Sequence, residues 1–272
     1  MARSLAPHDS QRLVFVGGLH RSGTSPVARL LAQHPEISGF KKTGVPQNEG
    51  QHLQTVYPPA ASFGGPGTFA LDPRAHLDET SPLATAESAR RLLDQWAPYW
   101  DVTRRLLVEK SPPNLIRTRF LAALFPAARF VMLVRHPVAV ALATEKWVDE
   151  QTSLADLVGH WVRAHQIFAD DAAYVSNLHV LKYEDLVADP VAALAALQGF
   201  LGLETGLSDD TIDESRSSGY QQRWSNLQRG WSIAGRWQVR RCRLAHAESI
   251  ARFGYDIDDL DQVRPFFPSS RR

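Results

Sequence analysis

The sequence predicts an α/β fold, a doubly wound parallel sheet of about five strands flanked by helices. Short apolar runs rich in β-branched or aromatic residues recur along the chain. Each of the first three is followed by a polar turn and then by a segment with helical character. Repetition of strand, polar turn and helix is typical of a doubly wound parallel sheet. In such a sheet ligands bind at the carboxyl ends of the strands, where the first turn meets a helix N-terminus.

Four apolar runs are predicted to be strands, the last with the weakest pattern: residues 13–16, 106–108, 130–134 and 178–181. Periodicity alone does not separate a short buried strand from the core of a helix, so the flanking residues decide. Glycines follow the first run, Lys-Ser-Pro-Pro follows the second and Arg-His-Pro the third. These turns favour strands.

The predicted helices cover residues 24–33, 114–124, 138–147, 154–174 and 189–201. The last begins with Asp-Pro, a common helix start. Between residues 40 and 90 the pattern loosens, with Pro-Pro and Gly-rich turns. So long an irregular stretch inside a compact domain favours a lid or substrate-binding insertion over a linker. We therefore predict one domain over residues 1–272, with 40–90 as this insertion.

Composition excludes several classes of protein. Of 272 residues, 44% are hydrophobic and 22% charged, as in an ordinary globular domain with a sizeable core. Lys and Arg number 30 against 29 Asp and Glu. This balance predicts no general polyanion-binding surface and no nucleic-acid partner, so phosphate binding must come from local clusters. Cys242 is the only cysteine, which excludes an intramolecular disulfide and a Cys-rich zinc site.

The hydrophobic segments are too short for a membrane span. No run reaches the roughly 18 apolar residues that a span needs. The first twelve residues also lack the apolar centre of a signal peptide. We therefore predict a cytoplasmic protein. The sequence does not indicate its oligomeric state.

The sharpest motif is GLHRSGTS at residues 18–25, between the first predicted strand and the first predicted helix. It matches the Gly-x-x-x-x-Gly frame of a nucleotide phosphate loop, whose backbone N–H groups hold an anion. Thr24 stands where a P-loop has lysine, and Ser25 follows it. Without that lysine or a nearby acidic Mg²⁺ ligand, the loop is poorly suited to γ-phosphate chemistry. The alternative is a plain turn whose glycines relieve backbone strain.

Three motifs together resemble the sulfotransferase family. Residues 20–25 are similar to its 5′-phosphosulfate loop, which reads Pro-Lys/Arg-Ser-Gly-Thr-Thr. VRHPVAVA at 134–141 resembles its 3′-phosphate motif, and LKYEDL at 181–186 resembles its Tyr-Glu-Asp-Leu segment. The likeness covers roughly residues 13–203, in the expected order, and is closest to the branch with tyrosylprotein sulfotransferases and many bacterial enzymes.

The resemblance implies a P-loop-like sulfotransferase fold and a reaction. The sulfuryl group would pass from 3′-phosphoadenosine 5′-phosphosulfate (PAPS) to a hydroxyl acceptor without a metal, leaving adenosine 3′,5′-bisphosphate. It also implies a set of nucleotide-binding residues: His20, Arg21, Ser22, Gly23, Thr24, Ser25, Arg135, Ala143, Thr144, Tyr183 and Arg229.

Arg21 is predicted to contact the transferring sulfuryl group or the bridging oxygen. Sulfuryl transfer through a loose, in-line transition state depends on positioning and charge stabilisation, which suits a permanently charged donor. His20 is expected to shape the turn beside the phosphates. The alternative for Arg21 is a surface salt bridge.

Arg135 is predicted to bind the 3′-phosphate. The family's serine eight residues later is replaced by Ala143. Thr144 could supply the hydroxyl, although one residue is about 100° around a helix. Tyr183 is placed near the adenine, or else is a core tyrosine. Arg229, in QRGW, would close over the 3′-phosphate unless the tryptophans there are packing anchors.

Three residues are candidates for the chemistry at the acceptor. The family's general base aligns with Lys42, which cannot take a proton, so Glu49 is the first candidate base. His52 is the second, because other branches use histidine. Lys110 resembles the family's sulfate-stabilising lysine; the alternatives are a pair with Glu109 or a solvated side chain. Glu49 could likewise be solvated.

Two other functions remain open. One is a nucleotide kinase with a degenerate phosphate loop, and the other is a non-catalytic binding module on the same scaffold. The aromatic and proline-rich residues 40–69 suggest an apolar or aromatic hydroxyl compound as acceptor, while a glycan remains an alternative because aromatic rings also stack on sugars.

Overall fold

The computed structural model describes residues 6–208, 215–260 and 264. Five parallel strands form one sheet in the order β2-β3-β1-β4-β5. Their bounds are β1 Leu13–Gly18, β2 Ile37–Gly39, β3 Leu106–Lys110, β4 Arg129–Val134 and β5 Leu178–Lys182. Because every pair is parallel, all carboxyl ends lie on one edge. The predicted fold class is confirmed.

Helices occupy both faces of the sheet. They are α1 Thr24–Gln33, α2 Ala86–Trp96, α3 Thr118–Leu124, α4 Pro137–Thr144, α5 Leu154–Ala172, α6 Tyr183–Ala188, α7 Pro190–Leu201, α8 Ser215–Arg229 and α9 Ile233–Ala251. Within the described ranges, no helix is long and apolar enough to cross a membrane.

The strands are buried on both faces, which explains their continuous apolar runs. Successive side chains of a strand point to opposite faces. Phe15 of β1 therefore belongs to the larger core cluster with Phe130 and Trp96, while Val14 and Val16 belong to the cluster on the other face. The rings of Phe15 and Phe130 stack at 5.5 Å.

One predicted helix is divided in the structure. Residues 114–124 were expected to form one helix, but a 3-10 turn covers Pro112–Ile116 and α3 follows it. Arg117 separates the two, with φ −132° and ψ 14°. Its guanidinium donates to the carbonyls of Ala75 and Pro58. The two prolines fix the backbone and remove N–H donors, which favours the short turn.

The irregular segment is shorter than predicted. Residues 40–85, all described, contain 3-10 turns but neither a strand nor an α-helix. The prediction is wrong for residues 86–90, which open α2. Thr85 caps this helix by accepting from the backbone N–H of Ser88 at 3.1 Å. Its buried positions 89, 92, 93 and 96 have helical spacing. The single-domain organisation of residues 1–272 stays a prediction.

Candidate active site

A cavity of about 610 Å³ opens at the carboxyl edge of the sheet. The phosphate loop after β1 lines one side of it, and the irregular segment 46–52 lines another. Arg135, which follows β4, and Tyr183, which follows β5, complete the wall together with Tyr220 of α8. The topology thus brings segments far apart in sequence to one place.

The phosphate loop bends through left-handed conformations. Gly18, Arg21 and Gly23 have φ of 141°, 72° and 101°. A Cβ on Gly23 would lie 2.8 Å from Cδ2 of Tyr183, so this position requires glycine. Gly23 precedes α1 and makes no side-chain cap. The first backbone N–H groups of α1 therefore remain available for an anion, and the helix dipole favours one.

Of residues 20–25, only Ser22 does not line the cavity. Its hydroxyl is buried and has no hydrogen-bond partner in the described part of the chain. His20 lines the cavity, and its ring packs edge-on against Phe69 at 5.7 Å. Burial lowers the pKa of His20 to about 4, so the ring is neutral at neutral pH.

Arg135 forms a buried cation on the side of the cavity that is lined by the turns after β4 and β5. Its guanidinium lies 4.1 Å from the ring centroid of Tyr183 and 5.4 Å from that of Tyr220. It also donates to the carbonyl of Arg21 at 3.1 Å. Burial lowers the pKa of Arg135, but arginine stays charged at physiological pH. A phosphate placed here would meet a permanent positive charge.

Glu49 and Lys110 form a buried ion pair beside the loop. Lys110 Nζ lies 2.9 Å from Oε1 of Glu49, and the two residues are only 4% and 6% exposed. The same Nζ donates to the hydroxyl of Ser25 at 3.2 Å. Gln51 donates to Oε2 of Glu49 at 2.6 Å, and His52 Nε2 lies 3.8 Å from that oxygen. Lys110 is paired with Glu49 rather than with Glu109.

Besides Ser22 and Lys110, three further predicted residues lie outside this cavity. Ala143 and Thr144 are buried on α4, where the Thr144 hydroxyl donates to the carbonyl of Val140 at 2.7 Å. Arg229 is exposed at the end of α8. None of the three is among the residues that line the cavity. Their contact with the 3′-phosphate stays a prediction.

Sequence reasoning missed several residues at the site. Gln51 orients Glu49, and Tyr220 covers Arg135 from α8, at a position outside the QRGW motif. Glu109 is buried under the segment that carries Glu49 and accepts the backbone N–H of Gly50 at 3.1 Å. A charged residue directly after the apolar run 106–108 was the available signal for Glu109. Tyr220 had no comparable signal.

The amino-acid sequence matches a known family over most of its length. A profile of the sulfotransferase family matches residues 14–209. The chain belongs to the sulfotransferase family. The resemblance that the three motifs indicated is confirmed, and nothing found in the comparisons supports a nucleotide kinase.

Two vertebrate sulfotransferases are among the similar proteins. Protein-tyrosine sulfotransferase 2 of Gallus gallus is 25% identical over 201 residues, which cover 70% of this chain and 51% of that protein. Protein-tyrosine sulfotransferase 1 of Danio rerio is 27% identical over 198 residues, covering 70% and 53%. The chain thus spans about half the length of these relatives.

Solved structures of sulfotransferase domains share the fold. The domain from the Synechococcus PCC 7002 olefin synthase has a TM-score of 0.53 and 20% identity, covering 90% of this chain and 94% of that one. The domain from the curacin biosynthetic pathway has a TM-score of 0.50 and 18% identity, covering 84% and 95%.

Proposed function

We propose that this sulfotransferase transfers a sulfuryl group from PAPS to a hydroxyl acceptor. The proposal rests on one cavity that is lined both by the phosphate loop and by Glu49, whose buried ion-pair partner is Lys110. The loop that would bind the donor and the carboxylate that could accept a proton therefore face the same cavity. A binding module would need the first but not the second.

The residues present fit the nucleotide of PAPS. The uncapped N-terminus of α1 suits the 5′-phosphosulfate, because Thr24 and Ser25 of its first turn line the cavity. Arg135 would hold the 3′-phosphate, with the Tyr183 ring available to the adenine. In this arrangement the hydroxyls of Thr24 and Ser25 lie at the helix start, next to the 5′-phosphate.

Chemically, the acceptor oxygen forms a bond to sulfur while the bond from sulfur to the 5′-phosphate oxygen breaks. The electron pair of that bond leaves with adenosine 3′,5′-bisphosphate, and the acceptor proton goes to a base. Arg21 and Lys110 would stabilise the charge that develops on the bridging oxygen. Lys110 suits this role because its ammonium already reaches Ser25 of the loop.

Glu49 is the proposed base. Its carboxylate lines the cavity and is oriented by Lys110 on one oxygen and Gln51 on the other. His52 also lines the cavity and lies within 3.8 Å of that carboxylate. It is therefore the second candidate, and variants of the two separate them. The proposed acceptor is the hydroxyl of a small molecule or a glycan. The names of the two vertebrate relatives add a tyrosyl hydroxyl as a third candidate.

A thermal shift experiment tests the donor assignment. Adenosine 3′,5′-bisphosphate should raise the melting temperature in the presence of EDTA, because the loop and Arg135 supply the charges without a metal. ATP with Mg²⁺ should stabilise much less. Stabilisation by ATP with Mg²⁺ alone would contradict the proposal and favour a nucleotide kinase.

A further inference from the structure

Glu109 is a buried carboxylate that lies next to the site but does not line the cavity. It precedes Lys110 at the end of β3, and neighbouring side chains of a strand point to opposite faces. Glu109 is 1% exposed. An ionised group is costly to bury unless it is fully hydrogen-bonded, so its partners indicate what it does.

All its hydrogen-bond partners are donors. Oε1 accepts from the backbone N–H of Gly50 at 3.1 Å and from the hydroxyl of Ser111 at 2.6 Å. Oε2 accepts from the side-chain amide of Asn114 at 2.5 Å. The ionised carboxylate, which only accepts, matches this set. A proton on Oε2 would face the Asn114 amide and cost that bond, and a proton on Oε1 would require the Ser111 hydroxyl to turn from donor to acceptor.

These bonds fix the backbone around Glu49. Gly50 follows Glu49 directly, and the Ser111 hydroxyl accepts from the backbone N–H of Gln51 at 2.9 Å. A Cβ on Gly50 would lie 2.6 Å from Cγ of Glu109, so only glycine permits this approach. Two successive backbone N–H groups after Glu49 are thus tied to Glu109, one directly and one through Ser111.

We propose that ionised Glu109 is a positioning residue that holds the Glu49 carboxylate in place for proton transfer. The proposal rests on the proposed function, because it assigns Glu109 a role in that reaction. Glu109 acts through Gly50 and Gln51 and does not itself touch the acceptor. A displacement of about 1 Å at a catalytic group can cost about a hundredfold in rate, so the bonds have a measurable consequence.

The surroundings of Glu109 give the proposal a signature in pH. Burial raises the pKa of Glu109 to about 7, with Lys110 opposing the shift and Glu49 adding to it. Arg117 at the start of α3 and Tyr57 of the irregular segment also face this carboxylate. The positioning form therefore builds up as pH rises through about 7, and kcat should rise with it.

The test compares Glu109→Gln with the parent protein. Transfer of radioactive sulfur from PAPS is measured to vanillin, a tyrosine-containing peptide and N-acetylglucosamine, at saturating donor and from pH 5.5 to 8.5. Glutamine keeps the size but turns an amide N–H₂ toward one of the donors. We expect kcat to fall about tenfold to a hundredfold and the rise near pH 7 to disappear. Affinity for adenosine 3′,5′-bisphosphate should stay within twofold of the parent.

Two further variants complete the test. Glu79→Gln is the matched control, because Glu79 is a partly exposed glutamate paired with Arg119 outside the cavity; it should leave kcat unchanged. Ser111→Ala removes the bond to Gln51 without altering a charge, and it serves if Glu109→Gln does not fold. Ser111→Ala should lower kcat, as Glu109→Gln does.

Amide hydrogen exchange of residues 46–57 provides a readout that needs no acceptor. The amides of Gly50 and Gln51 should exchange faster in Glu109→Gln than in the parent. If the parent transfers sulfur while Glu109→Gln keeps its kcat and its pH dependence, the positioning role is wrong and the function stands. If the parent transfers nothing, the function is wrong, and unchanged exchange at these amides would separately overturn the positioning role.

Discussion

Arg21 has a backbone conformation that is unusual for a residue other than glycine. Its backbone φ is 72°, in a region that residues other than glycine rarely adopt, and the residue lines the cavity. Its carbonyl accepts from Arg135, which ties the phosphate loop to the turn after β4. Left-handed strain of this kind is often found at functional sites.

Replacing Arg21 by Ala should lower kcat by about 10²–10³-fold, because one preorganised donor to developing charge contributes about that much. The measurement is steady-state transfer from PAPS at saturating acceptor. Arg91→Ala, on the exposed side of α2, is the control and should have parental kinetics. A change confined to KM would instead make Arg21 a ground-state binder.

Glu49 is tested by Glu49→Gln, which keeps the size but cannot take the proton. We expect kcat to fall by about 10²–10⁴-fold while affinity for adenosine 3′,5′-bisphosphate stays nearly parental. His52→Ala should be milder. Near-parental turnover of Glu49→Gln together with an inactive His52→Ala would identify the histidine as the base.

The turn after β4 is the element that we propose to determine donor affinity. Arg135 stands at its start, between the rings of Tyr183 and Tyr220. Its neighbour His136 donates its backbone N–H to Glu184 at 2.7 Å, and Tyr255 donates to the same carboxylate at 3.1 Å. The turn is therefore held from several sides before any ligand binds.

Arg135→Ala should weaken binding of adenosine 3′,5′-bisphosphate by about tenfold to a hundredfold, the value of a hydrogen bond to a charged group. Turnover at saturating PAPS should persist, since the 3′-phosphate lies far from the transferred sulfur. Calorimetry measures the affinity. Arg129→Ala, at the opposite end of the same strand, is the matched control. Equal affinity of Arg135→Ala and the parent would remove Arg135 from the site.

Elements could be predicted where local signals were strong. Four strands followed from buried apolar runs, but β2, of three residues, is too short to give a pattern. The start of α2 was missed because the irregular segment, predicted from Gly- and Pro-rich turns, was carried to residue 90, past the Thr85 cap. The phosphate loop could be predicted because all its residues are contiguous.

Contacts between distant segments were harder to predict. Parallel strands placed Lys110 at the same edge as the loop, yet its pairing with Glu49, 61 residues away, depends on how an irregular segment folds. The rotation of α4 turns Thr144 toward its own helix backbone, which no motif reveals. The roles of Glu109 and Tyr220 arise from packing in three dimensions.

Four histidines whose pKa is lowered by burial predict that the whole molecule is sensitive to acid. Burial lowers the pKa to about 4 for His20 and His136 and to about 3 for His160 and His165. Unfolded histidine titrates near 6.5, so the unfolded chain binds protons first as pH falls. Stability should therefore decrease from about pH 6.5 downward through pH 4.

Urea unfolding at several pH values measures this dependence. The midpoint should be highest above pH 6.5 and decrease steadily to pH 4. Glu109 and Glu184 act in the opposite direction, because burial raises the pKa of each carboxyl and so favours the folded state at low pH, but the four histidines outnumber them. A midpoint that stays constant between pH 6.5 and 4.5 would contradict the assignment of these rings as neutral and buried.

At the scale of the whole molecule, the central claim is that one cavity binds PAPS and transfers its sulfuryl group. The most direct measurement is the transfer of radioactive sulfur from PAPS to vanillin, a tyrosine-containing peptide and N-acetylglucosamine, with EDTA present. We predict a labelled product with at least one of these acceptors and its loss in Glu49→Gln, which should still bind adenosine 3′,5′-bisphosphate. Binding of that nucleotide by the parent without transfer to any acceptor would contradict the account and identify a nucleotide-binding module.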